Sequence, residues 1–243
     1  MVFLRGKSYK RITIKFLLLL IALLYISFLY IDIFAKNIFL SSSTLKFISM
    51  IFIFIISILI KDNPLSYKDI HLLQIGLFIT LIADLFLLVL DSYYILGIFL
   101  FSIVQILYSF RYEFRNFKFT IRNFSIIFLG LSIFYLIINK FIIEIDFLFI
   151  MGIFYAICLL NSVVKAVKSY KYKTYPAPNR QMILIGMILF LFCDVNVGLY
   201  NILGYINKTG LLYNISSVSM WLFYLPSQVL LALSGENYNM FYE

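Results

Sequence analysis

Long apolar runs alternate along this chain with short polar and mostly basic connectors. Eight runs reach or approach the ~20 residues that a helix needs to cross a bilayer. They lie at approximately 12–34, 45–60, 71–90, 93–110, 121–139, 145–164, 181–203 and 211–234. The second and fourth are short and need a few flanking residues to span. The first follows a basic N-terminus, as a signal peptide would. Its apolar stretch from Ile14 to Ile33 is too long for a signal core and has no small-residue cleavage site after it, so it is read as a retained span. The pattern predicts an all-α fold, a polytopic bundle of about eight transmembrane helices in a single transmembrane domain over residues 1–243.

Composition removes the soluble alternatives. The 243 residues are 63% hydrophobic and 13% charged, and the mean hydropathy is +1.01. Soluble domains run closer to 45–50% apolar and about 25% charged. A net charge of +9 raises nucleic acid as a partner, but the basic residues follow membrane topology instead. With the N-terminus in the cytoplasm, 16 of the 20 Lys and Arg residues fall on the inner side. The outer side keeps Lys36, Lys46, Lys140 and Lys208. This asymmetry predicts both termini inside. The Ile/Lys/Asn-rich composition and the lack of organelle-targeting signals point to a bacterial cell membrane. The basic loops, Arg111–Asn123 among them, are read as topology determinants that also meet anionic headgroups of membrane lipids. Cys158 and Cys193 fall inside spans and are read as packed thiols. With His71 the only histidine and no ligand cluster, neither a metal nor a cofactor is expected.

Two aspartates interrupt the apolar pattern. Asp84 lies in LFITLIADLFLLVL and Asp194 in MILFLFCDVNVGLY. An ionised carboxylate at the centre of a spanning helix costs about 2.5–3.5 kcal/mol on insertion scales. Both share a local frame, Ile-Gly followed by seven residues and then Asp, at Ile75-Gly76 and Ile185-Gly186. Each falls about 13 residues into an outward-running span, roughly 20 Å along its axis. The following spans carry Gln105 and Gln228. The correspondence suggests a possible parallel repeat of four helices plus four, although apolar helices also match each other by composition alone.

Around each acid the helical spacing places a small polar set: Thr80 beside Asp84, and Gly198 and Asn201 on the stripe of Asp194. Two carboxyls in one poorly hydrated pocket would divide a single proton, which equips them for acid–base hydrolysis without a metal. The same pair could serve as a relay in a small ion- or proton-coupled transporter, or knit helices together with no chemistry. A transporter is expected to break corresponding helices in both halves. Here only Pro226 interrupts a span. Lys46 could meet a lipid phosphate or pair with Asp84, but its position at a helix end favours a snorkelling lysine. Tyr108, Trp221 and Tyr224 are interfacial anchors or pocket hydroxyls by position.

The order of Lys46, LIADLFLL with Asp84, GIFLFSIVQILYSF, GMILFLFCD with Asp194, and FYLPSQVLLALS resembles the YhhN family of membrane proteins, which includes the lysoplasmalogenases. The resemblance runs from about residue 40 to the C-terminus. Ala83, Cys193, Phe47 and Gln105 stand where the family tends to have Gly, Ser, Pro and His, which marks a distant member. The resemblance implies hydrolysis of the vinyl ether bond of a lysoplasmalogen to a fatty aldehyde and a glycerophospho-base. It implies Asp84 and Asp194 as the catalytic pair and a lysophospholipid as substrate. Lys46, Tyr108, Asn201 and Gln228 are the further substrate-binding candidates. A non-catalytic family member with a structural or regulatory role is the third possibility.

Overall fold

The computed structural model describes residues 2–34, 41–60, 65–113 and 117–238, with side chains from residue 9 onward and not at 117. Lys36, Lys61 and Arg115 of the charge pattern lie outside the described residues, as do the side chains of Arg5 and Lys7. Among the described residues there are eight α-helices and no strand. They are α1 (Val2–Phe34), α2 (Ser42–Ile60), α3 (Tyr67–Asp84), α4 (Tyr94–Tyr112), α5 (Phe117–Phe141), α6 (Phe147–Lys171), α7 (Asn179–Tyr205) and α8 (Leu211–Leu233). All eight are long and apolar enough to cross a membrane, so the protein is a multi-pass membrane protein. Most helices extend a few residues past the apolar runs, because basic and aromatic flanks continue the helix to the membrane surface. One departure is local. The third run is not α-helical throughout: after Asp84 it passes into a π turn over Leu85–Val89. Such turns admit an extra residue into the helix and gather at functional sites.

Seven helices form the body and α5 stands outside it. Among described elements α5 packs only on α4 and α6, and most of its large apolar side chains face outward, as a lipid-facing helix requires. Helix α8 closes the body by packing on α7, α2, α1 and α3. The first span is part of this body, since α1 packs against α2 and α8.

Several of these contacts match the possible four-plus-four repeat, although α3 meets α8 with no α7–α4 counterpart among the described elements. Helix α4 packs on α6 as α8 packs on α2, and α1 meets α8 as α5 meets α4. It persists at single residues. Gly76 on α3 lies under the Tyr108 ring of α4, where a Cβ would come within 2.7 Å of Cε1. Gly186 on α7 lies under Leu231 of α8, where a Cβ would come within 3.0 Å of Cγ. Small residues let neighbouring helices approach where no hydrophobic force separates helix from lipid. This explains why the same glycine precedes both aspartates by the same interval.

The end of the bundle that carries Arg111 is locked by a buried polar cluster. Arg111 is fully buried and donates from Nε and Nη2 to Asp69 at 2.9 and 3.0 Å, with a further bond to Ser234 Oγ at 2.9 Å. The Tyr175 hydroxyl, from the Tyr-Pro-Ala-Pro turn, is shared between Asp69 Oδ1 and the Arg111 carbonyl, each at 2.6 Å. Burial and the adjacent Asp69 carboxylate push the Tyr175 phenol up, so it stays a donor. Asn179 Nδ2 adds the carbonyls of Ser234 and Glu236, at 2.9 and 2.6 Å. Arg111 is therefore a tertiary clamp joining α3, α4 and α8, rather than the loop charge expected from the sequence.

Candidate functional site

Each aspartate is held by a tyrosine from another helix. Asp84 is buried, 5% exposed, and its Oδ2 accepts from Tyr224 Oη of α8 at 2.8 Å. Asp194 is partly open, and its Oδ2 accepts from Tyr155 Oη of α6. Neither Oδ1 has a hydrogen-bond partner among the described residues. A carboxyl pinned at one oxygen keeps the other for a reactant.

Aromatic rings draw the two pairs into one cluster. Phe101 of α4 stands between them, its centroid 6.1 Å from Tyr155 and 6.5 Å from Tyr224. Phe190 of α7, one turn before Asp194, packs edge-on against Tyr224 at 5.8 Å and against Phe101 at 6.3 Å. Phe101 and Tyr224 are the repeat counterparts that precede Gln105 and Gln228 by one turn, so the cluster forms where the halves face one another. Cys193, the neighbour of Asp194 in sequence, is buried.

The other candidates separate. Gln105 accepts from Ser162 Oγ at 2.6 Å, beside Tyr155. Gln228, one turn from Tyr224, is fully buried with neither amide atom paired. Thr80, one turn from Asp84, is buried with its hydroxyl on the Gly76 carbonyl at 2.9 Å. Tyr108 is fully buried two turns from Phe101, its ring over Gly76 and 6.2 Å from that of Tyr112, the ring that Arg111 faces. Asn201 is exposed and bonds to the Val197 carbonyl of its own helix at 2.8 Å. Gly198 has no protein atom within 4 Å of the Cβ position and faces outward.

Lys46 does not snorkel, and it does not pair with Asp84. It is 7% exposed, and its Nζ lies 2.8 Å from Asp32 Oδ2 of α1. The same ammonium sits 4.6 Å from the Trp221 ring centroid and 5.6 Å from that of Phe28. Trp221 packs edge-on against Tyr224 at 5.2 Å. One indole thus separates the lysine from the tyrosine that holds Asp84.

A model of the YhhN family matches residues 41–235. The chain belongs to the YhhN family. The match takes in both aspartates, both tyrosines and Lys46, and leaves Asp32 before its first residue. No curated protein and no solved structure matches the chain. Both cysteines are free and buried. Among the described residues no group of three His, Cys, Asp or Glu side chains is placed to hold a metal. A cavity of about 550 Å³ opens between α4, α5 and α6, walled by Phe99, Phe128, Phe147 and Met151. It lies across α4 from the aspartates, because Phe99 and Phe101 point to opposite sides of that helix.

Proposed function

We propose that this YhhN protein is an integral-membrane lipid hydrolase of the lysoplasmalogenase type. It cleaves the vinyl ether of a lysoplasmalogen to a fatty aldehyde and a glycerophospho-base, with both termini in the cytoplasm. The observation that carries the reading is the pair of intramembrane aspartates, each held at one oxygen by a tyrosine and joined through a single aromatic cluster. The neutral acid delivers its proton to the vinyl β-carbon and leaves an oxocarbenium ion at the α-carbon. The ionised partner stabilises that cation and takes a proton from the water that adds to it. The hemiacetal then collapses to aldehyde and glycerol hydroxyl, one water being consumed and one proton returned to the pair. The phenols supply fixed dipoles and the rings exclude bulk water. The substrate's single alkyl chain lies among the Leu, Ile and Phe side chains.

The test is hydrolysis of lysoplasmenyl-ethanolamine by purified protein in D2O, with the aldehyde reduced as it forms. One deuterium at the carbon next to the former carbonyl is expected, with the glycerol oxygen retained from substrate. Absence of aldehyde release, or release without that deuterium, overturns the reading.

A further inference from the structure

The Asp32–Lys46 pair is built in a manner that a structural salt bridge does not need. Its ammonium is faced by two aromatic rings, Trp221 at 4.6 Å and Phe28 at 5.6 Å, beside a carboxylate at 2.8 Å. A carboxylate with aromatic faces is the environment that recognises a ligand ammonium. Ser42 Oγ donates to Asp32 Oδ1 at 2.6 Å and fixes the acid from its other side. The pair joins the last turn of α1 to the first turns of α2, with Asp32 partly open. Trp221 connects it to Tyr224 and Asp84.

We propose that Asp32 and Lys46 form the headgroup site, and that Asp32 is the residue that selects for an amine. The proposal rests on the lipid-hydrolase reading and adds α1 to the site. Lys46 moves onto the ligand phosphate, and the ligand ammonium takes its place between Asp32, Trp221 and Phe28. This exchange replaces one internal ion pair by two pairs with the ligand. A zwitterionic phosphate–amine headgroup therefore leaves no charge uncompensated. A headgroup with phosphate alone takes Lys46 and leaves Asp32 without a cation, which disfavours it.

Trp221 is the single tryptophan of the chain, so its emission reports this site alone. The probes are non-cleavable 1-O-alkyl lysolipids, with a phosphocholine or a phosphate-only headgroup, titrated into the full chain in maltoside micelles. Wild type is expected to bind the phosphocholine lipid about tenfold or more tightly than the phosphate lipid. Asp32→Asn is expected to erase that preference by weakening the phosphocholine lipid, and Asp32→Glu to keep most of it. Equal binding of the two lipids by wild type, an emission that neither changes, or an equal loss of both in Asp32→Asn overturns the proposal. Selective binding without aldehyde release from a cleavable lipid would retain the headgroup site and refute the hydrolase reading. Aldehyde release without headgroup preference would do the reverse.

Discussion

Tyr224 on the last helix donates its hydroxyl to Asp84 on the third at 2.8 Å, across 140 residues of sequence. Tyr155 does the same for Asp194 across 39. Each phenol fixes one carboxyl oxygen without taking up the other. Tyr224→Phe and Tyr155→Phe preserve the ring packing and remove one charge-assisted hydrogen bond. A loss of about 1.5–3 kcal/mol lowers Tm, and where the bond also holds the carboxyl at the transition state it translates to about 10- to 100-fold in kcat. Aldehyde release and thermal unfolding of the same preparations check this. Full activity in both variants would show that the phenols only pack.

The spacing of the two aspartates from their glycines has a packing origin, and this is testable at the glycines. Gly76→Ala sets a Cβ 2.7 Å from a fully buried tyrosine ring and should cost about 1–3 kcal/mol through overpacking. Gly186→Ala meets Leu231 and the Ser227 carbonyl at 3.0–3.3 Å and should cost less. Gly152→Ala, with nothing within 4 Å, should be neutral or stabilise its helix slightly. Detergent-solubilised thermal unfolding gives the order. Equal effects at all three positions would remove the packing account.

Arg111 and Asp69 make a bidentate pair with almost no exposure on either side chain. Removing one member strands the other charge. Asp69→Asn and Arg111→Met should each lower stability by about 3–5 kcal/mol, while the double replacement recovers part of the loss. Unfolding midpoints of the three variants measure the coupling, and additive losses would contradict it.

Much of this arrangement was legible in the chain. Eight helices follow from eight apolar runs, and the Ile-Gly to Asp frame marked both acids and the repeat. Lys46 was legible as a candidate but not by partner. The resemblance began near residue 40, whereas Asp32 lies before it, on a stretch read only as a first span. Asp32 is nevertheless a carboxylate near the end of an apolar run, a signal of the same kind as Asp84. Tyr155 carried no such signal, because a tyrosine in an aromatic-rich helix is indistinguishable from packing until its hydroxyl has an acceptor. Asn201 shares the helical stripe of Asp194 but falls two turns nearer the helix end, where that face is exposed. The π turn after Asp84 leaves no mark in hydropathy. Arg111 looked like a loop charge because its acceptors, Asp69 and Ser234, come from two distant segments.

Catalysis by a pair that divides one proton has a defined pH signature. Too much acid protonates both carboxyls, and too little leaves no donor. The kcat/KM profile should therefore be bell-shaped, its two limbs belonging to the pair rather than to either residue. Initial rates of aldehyde release across the pH range, with unfolding monitored in parallel, test this. A profile with a single limb would point to one working carboxyl.

The central claim is that Asp84 and Asp194 act together on one lipid. The most direct measurement is aldehyde release from lysoplasmenyl-ethanolamine by wild type, Asp84→Asn and Asp194→Asn, each verified as folded. Turnover by wild type, with both variants reduced by at least about 10²-fold, is the predicted result. A folded wild type that releases no aldehyde, or an asparagine variant that turns over at the wild-type rate, would contradict it.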